Sequence, residues 1–431
     1  MSRDILRIAI PSIISNVTVP LLSLVDTTIV GHLGAASYIG AIAVGGMIFN
    51  MAYWLFSFLR MGTGGLTAQA CGAGRTDESL RVLGRSLTLA IGVGLLLIVL
   101  QRPIADGVFA FVEATAEVER EARTYFRILI WGAPAVLALY SFTGWFLGMQ
   151  NARFPMVVAI VQNAVNVVAS LMLVMLAGWN VEGVATGTLV AQYVGLVLAV
   201  GLWMRRYRPF ADAAMWRGTF VRHRLVEFFH VNRDIFLRTL CLIGVTTWFT
   251  TTGAALGDLV LAANALLMQF FMFFSYVMDG FAYAGEAIGG KCFGAGEREG
   301  FVCLTRQLFG YGLVLAVLFT LTYALCGSAI VSILTDNDAV CATAADYLPF
   351  AVGIPLVSMA AFVFDGLFVG TTSTRQMLIS MFIAMCAFFS VLACFQRGGN
   401  AALWSAFLVY LGCRGTVQAC LFPKILCRLG A

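Results

Sequence analysis

The sequence predicts an all-α membrane protein of twelve transmembrane helices, built as two six-helix parallel pseudo-repeats around a central cavity. Three observations predict it. The 431 residues are 60% hydrophobic and only 11% charged, with a mean hydropathy of +0.90, far outside the balance of a soluble domain. Long uncharged intervals reach the roughly 18–20 apolar residues that a helix needs to cross a bilayer, without the alternation of a membrane β-barrel. The two halves of the chain also echo one another at a constant offset.

Breaks at Gly, Pro and charge clusters delimit spans 8–31, 38–70, 82–101, 124–149, 155–177 and 183–204, then 235–256, 260–290, 305–327, 345–371, 376–396 and 400–423. The opening MSRDILRIAIP runs into the first span without an A-x-A-like cleavage site, so a retained helix is expected there. Basic residues gather at alternate exits: Arg3 and Arg7 before span 1, Arg75 and Arg81 after span 2, Arg153 after span 4, Arg298 after span 8, Arg375 after span 10, and Lys424 and Arg428 at the end. After span 6, Arg205, Arg206, Arg208, Arg217, Arg222 and Arg224 crowd one loop. The positive-inside rule makes that loop and both termini cytoplasmic, in the inner membrane. Arg102, Arg120, Arg123, Arg127 and Arg397 run against the assignment, with Glu113, Glu117, Glu119 and Glu121 interleaved in the third loop. The expected layout is an N-terminal six-helix lobe over 1–204, a basic cytoplasmic linker over 205–231 and a C-terminal six-helix lobe over 232–431. The linker lies between two spans and reads as a headgroup-facing loop, with membrane lipid as its partner and no nucleic acid.

The repeat rests on short echoes. CGAG at 71–74 returns as FGAG at 293–296, GWFLG at 144–148 as GLFVG at 366–370, and Arg153 as Arg375; each pair differs by 222 residues (296 − 74, 366 − 144, 375 − 153). RDIL at 3–6 echoes RDIF at 233–236 with an offset of 230. Because six is even, both halves begin on the same side of the membrane, and the repeats are parallel. Parallel halves around a cavity are a recurrent plan of secondary transporters.

Few ionisable residues fall well inside the spans: Asp26, Arg60, Asp279, Glu286, Asp365 and Arg414. A charge at the bilayer centre costs about 2.5–3.5 kcal/mol on insertion scales, so each is a candidate for function. Asp26, in LLSLVDTTIVGHLG, lies in the outer half of span 1. Arg60, Asp279 and Asp365 lie toward the inner halves of theirs. Under the offset Asp279 pairs with Ser57, one turn from Arg60, so either the two halves carry a bridging pair at similar depth or the side chains snorkel. In span 5, Asn163, Asn166 and Ser170 at i, i+3 and i+7 share one helical face, and span 6 adds Thr188 and Gln192 four apart. Counted inward from the outer ends, Ser170 and Thr188 fall about as deep as Asp26, with Asn166 one turn deeper. A carboxylate that changes charge, joined by neutral oxygen ligands, suits a proton or a small cation. The competing reading is that Asn, Ser and Thr simply hold helices together.

Enzymatic readings find no support: HExxH, DxxD, GxSxG and a phosphate loop are all missing, and GTGG at 62–65 lacks a following Lys. Eleven cysteines without CxxC, and three scattered histidines, point to free thiols and to no metal or other cofactor.

The segments VDTTIVGHLG, FLRMGTGGLTAQACGAG, NALLMQFFMFFSYVMDGFAYAGEAIGGKCFGAG and FVFDGLFVGTTSTR resemble the DinF-like branch of the multidrug and toxic compound extrusion (MATE) family across nearly the whole chain. The resemblance implies a twelve-helix antiporter with two six-helix lobes, exchanging protons or sodium ions for amphipathic, often cationic small molecules; a monomer is expected. It implies that Asp26 is the coupling carboxylate, that Pro11, fifteen residues earlier, bends helix 1, and that Asn166 and Thr188 are the helix-5 and helix-6 site residues. One departure matters: the family pattern is similar to N-x-x-N-x-x-x-D, whereas here Asn163 and Asn166 are followed by Ser170. A lone carboxylate carries one proton, while a sodium site loses a charged ligand, and this favours protons. A flippase for a lipid-linked precursor is the alternative, since that class has a similar architecture and a cationic cavity. The excess of interior acids over bases favours cationic cargo.

Overall fold

A computed structural model describes residues 1–31, 36–110, 115–207, 219 and 221–429, with side chains excepted at 19, 21–27, 30, 31, 36 and 396. Sixteen helices follow in order among these residues: α1 (Ser2–Gly31), α2 (Ala36–Leu55), α3 (Phe58–Gly72), α4 (Thr76–Val99), α5 (Gln101–Phe109), α6 (Ala116–Leu129), α7 (Ala133–Gly148), α8 (Arg153–Met175), α9 (Val181–Tyr207), α10 (Arg222–Ala255), α11 (Asp258–Ala295), α12 (Arg298–Leu334), α13 (Asp338–Gly370), α14 (Thr374–Cys394), α15 (Gly399–Leu421) and α16 (Pro423–Leu429). Eleven helical stretches among the described residues are long and apolar enough to cross a membrane, and α1 holds the first span of the sequence reading. Apolar side chains face outward as well as inward, with Leu325, Ile333 and Leu176 exposed at 83%, 82% and 79%. Such a surface matches a hydrocarbon solvent, in which every backbone polar group must be bonded within its own helix.

The chain divides into two units, Ile14–Phe228 and Met1–Ile13 with Phe229–Ala431. In the first, α7 packs against α3 and α4, and α8 pairs with α9. In the second, α13 packs against α11 and α12, and α14 pairs with α15. The same helices therefore pair in both halves.

The 222-residue offset holds down to single atoms. At Gly144 a side chain would stand 2.1 Å from the carbonyl oxygen of Arg60, and at Gly366 one would stand 2.1 Å from that of Ala282, where 60 + 222 = 282. Only glycine lets the two backbones approach so closely. Left-handed residues recur as well: Gln150 (φ 63°) and Thr372 (φ 49°), Gly74 (φ 70°) and Gly296 (φ 72°). Each half closes the turn after its GWFLG or GLFVG segment with the same bond, Asn151 N to Phe146 O and Ser373 N to Phe368 O, both 2.8 Å.

Two expected single helices of the first half are broken. Span 2 divides at Phe56–Ser57, where the amides of Phe56, Ser57, Leu59 and Arg60 bond to carbonyls three residues back, a tightened turn. Span 4 divides at a 3-10 turn, Ile130–Gly132, two residues before Pro134, which has no N–H to continue the ladder. Their counterparts α11 and α13 run unbroken, α13 despite Pro349 and Pro355. Helix ends also lie beyond the hydropathic edges. α10 begins at Arg222, where span 7 was placed from 235, and α12 covers Arg298–Leu334 against an expected 305–327. Hydropathy marks the part in hydrocarbon, whereas the backbone ladder continues into the polar zone. Of the predicted linker, 208–218 and 220 lie outside the described residues, and so do Arg208 and Arg217.

Candidate functional site

The predicted face of α8 meets α9 across a close contact. Gly187 of α9 sets the spacing: a Cβ there would lie 2.3 Å from Ser170 Oγ and 2.7 Å from Ser170 N. One residue on, Asn166 Nδ2 donates to Thr188 Oγ1 at 2.8 Å, and Thr188 Oγ1 donates to Val184 O at 2.9 Å. One turn back along α8, Asn163 Nδ2 donates to Thr18 O of α1 at 3.2 Å, tying α8 to the helix that carries Asp26. Gln192 lies one turn beyond Thr188 on α9 and fills the space at Gly132 of the 3-10 turn. The structure thus brings Asn166, Ser170 and Thr188 together, with Asn163 and Gln192 flanking them. Asp26 is in α1, and its side chain lies outside the described residues.

Asn166, Ser170 and Gln192 are buried, yet Asn166 Oδ1, Ser170 Oγ and Gln192 Oε1 have no hydrogen-bond partner among the described residues. Helix hydroxyls usually bond back to their own carbonyls, as Thr188 does and as Ser141 does to Leu137 O at 3.3 Å. Ser170 does not. Unpaired oxygens in an apolar interior are costly. Their chemistry is that of a site offering neutral oxygens to a proton-bearing group or a small cation.

The second half holds a buried charge cluster. Asp365 of α13 accepts at Oδ2 from Arg238 of α10 and from Arg414 of α15. Its Oδ1 accepts from Gln418 Nε2 at 2.5 Å. All four side chains are buried, and Arg414 also stacks 5.8 Å from the centre of the Phe362 ring. Sequence reasoning found Asp365 and Arg414 but missed Arg238, which falls only three residues inside the predicted edge of span 7. Its signal was the spacing in RDIFLR, which sets a second charge one turn after Asp234. Asp234 itself pairs with Arg233 at 3.0 Å and accepts from Thr374 Oγ1 at 3.3 Å. Arg238 brings the interior bases to three, with Arg60 and Arg414, against four acids. Since Asp365 faces two guanidiniums, the acidic excess rests on Asp26, Asp279 and Glu286.

Arg60 lies half-buried in α3 of one unit, and Asp279 half-buried in α11 of the other; Glu286 is buried farther along α11. Pro11 lies half-buried in the part of α1 that belongs with the second half. All eleven cysteines are free thiols. Among the described residues no three His, Cys, Asp or Glu side chains form a metal-binding group.

The MatE family model matches residues 11–172 and 235–394, one segment in each half. The DNA damage-inducible protein F of Escherichia coli (strain K12) is 38% identical over 425 residues, 97% of this chain and 91% of that protein. Among solved structures, a MATE protein in a bent conformation superposes with a TM-score of 0.89 at 18% identity, over 99% of this chain and 96% of the other. An outward-facing multidrug resistance MATE transporter of the MOP superfamily gives a TM-score of 0.86 at 18% identity, over 100% and 96%.

Proposed function

The chain belongs to the MatE family of multi-pass membrane transporters, and from that premise we propose that it is a secondary active antiporter exporting amphipathic, cationic compounds in exchange for protons. The observation that carries the reading is the α8–α9 face, where Asn166 is bonded to Thr188 while Asn166 Oδ1, Ser170 Oγ and Gln192 Oε1 are buried and have no partner among the described residues. Asp26 is the coupling carboxylate, loaded with a proton from outside and released inward as helix 1 rearranges around Pro11. Protonation removes the charge that makes a buried carboxylate costly, and so biases one conformation over the other. Ser170, a hydroxyl where a second carboxylate would complete a cation site, favours the proton over sodium. Both termini and the 205–231 segment are cytoplasmic in this scheme, and the monomer is the working unit.

Purified protein in proteoliposomes, loaded with a fluorescent organic cation, tests the reading. An imposed pH gradient drives export by the wild type, and Asp26→Asn abolishes it while inserting and folding normally. Export by Asp26→Asn at the wild-type rate would overturn the mechanism, and export driven by a sodium gradient at constant pH would replace the proton with its rival. A second reading, a flippase for a lipid-linked precursor, draws on the two guanidiniums that face Asp365. In that case an anionic lipid-linked cargo moves and the organic cation does not.

A further inference from the structure

α1 is one helix shared by two units: Met1–Ile13 belongs with the second half, and the residues from Ile14 onward with the first. Its early part is clamped. A Cβ at Gly280 of α11 would stand 2.4 Å from Ile13 Cγ1 and 2.9 Å from Ala9 O, and the Ser2 hydroxyl is bonded to that of Tyr311 of α12. Just past Ile13 the backbone ladder thins. Pro20 has no N–H to give to the carbonyl of residue 16, and a proline ring inside a helix crowds the carbonyl four residues back. Thr18 Oγ1 donates to Ser15 O at 2.7 Å, a local side-chain bond of the kind that competes with the ladder. Residues 15–20 are therefore where α1 yields most easily, beyond Pro11 and before Asp26.

This stretch is held from outside by α8, since Asn163 Nδ2 donates to Thr18 O at 3.2 Å, inside the weakened segment. The place of that bond matters, because α1 and α8 carry the first and fifth spans and run in the same direction. From it Asp26 lies eight residues on along α1, about 12 Å, and Ser170 seven residues on along α8, about 10.5 Å. One hydrogen bond thus sets the backbone of Asp26 level with Ser170, whose Oγ is buried without a partner among the described residues. A slip of one helical turn, about 5.4 Å, would carry Asp26 past it.

We propose that residues 15–20 form a second joint in α1, and that Asn163 is a positioning residue whose bond to Thr18 O registers the Asp26-bearing part of the helix on α8. This role rests on Asp26 as the coupling carboxylate, whereas the register itself is measured without transport. Nitroxide labels at Thr28 and Val168, both exposed, in a background whose native thiols are replaced, report the α1–α8 separation by double electron–electron resonance in nanodiscs at fixed pH. The wild type should give one dominant distance. Asn163→Leu, which keeps the volume and removes the donor, should raise a second distance, with the population ratio shifted about fivefold for one neutral hydrogen bond. Pro20→Ala restores the missing rung of the ladder, and added to Asn163→Leu should return the single distance. In pH-driven export Asn163→Leu should lower kcat about fivefold and leave the KM for the organic cation unchanged. Asn163→Ser, too short to reach the carbonyl, takes its place should the leucine variant fail to fold. An unaltered distance, or a second distance that Pro20→Ala leaves in place, would overturn the joint and its clasp. A kcat at the wild-type value, or a raised KM in its stead, would overturn the positioning role, the latter by setting Asn163 against cargo.

Discussion

Ser170 and Asp365 show two opposite treatments of a polar atom inside a helix bundle. Ser170 Oγ is buried and unbonded among the described residues, whereas Asp365 is saturated by Arg238, Arg414 and Gln418. Asp365→Asn should therefore act on stability before it acts on coupling, because it leaves two buried guanidiniums against no carboxylate. A loss of about 3–5 kcal/mol is expected for breaking such a pair from one side, read as a lowered Tm in detergent. The double variant Asp365→Asn, Arg238→Gln should lose less than the sum of the singles, since the two share one interaction. Asn166→Ala should show the reverse profile: a stability change of about 0.5–1.5 kcal/mol for one neutral hydrogen bond, with a much larger fall in pH-driven export. Measuring Tm and export side by side on both variants separates the roles. The Asn166 face was legible because i, i+3 and i+7 must stack along a helix. Arg238 was not, because a residue at the edge of a hydropathic window looks like an interfacial one until the helices around it are assembled.

Helices in this protein are placed by backbone contact as much as by side chains. Gly144 and Gly366 each bring α7 or α13 against a neighbouring carbonyl. Gly144→Ala and Gly366→Ala should consequently destabilise by similar amounts, about 1–3 kcal/mol each for an overpacked contact. Gly244→Ala, where an added methyl group meets nothing within 4 Å, should be neutral or slightly stabilising through its better helix propensity. Thermal unfolding of the three variants checks the contrast. The recurrence of GWFLG as GLFVG disclosed that the two glycines are equivalent; the carbonyls they touch became visible only in the packed structure. The break between α2 and α3 had no marker of its own in the sequence. No proline or glycine stands at Phe56–Ser57, and the shift to i−3 bonding there belongs to the first half alone, since α11 continues unbroken.

For the whole molecule the testable quantity is sidedness. Arg217→Cys, in a background whose eleven native thiols are replaced, should resist an impermeant reagent applied to intact cells and react after the inner face is opened. Labelling from outside would reverse the topology and with it the direction assigned to Asp26. Composition by itself determined the solvent of this protein, because a chain this poor in charge has no other way to satisfy its backbone than as bonded helices in hydrocarbon. The 222-residue echo determined the equivalence of the two halves, because equal sequence at equal spacing folds into equal contacts. Tertiary structure alone decided which polar atoms remain unpaired. Ser170 stands open and Asp365 closed because of what neighbouring helices bring to them: Gly187, which sets the α8–α9 approach, and the arginines of α10 and α15. Burial and pairing belong to groups far apart in the chain, and no local pattern records them.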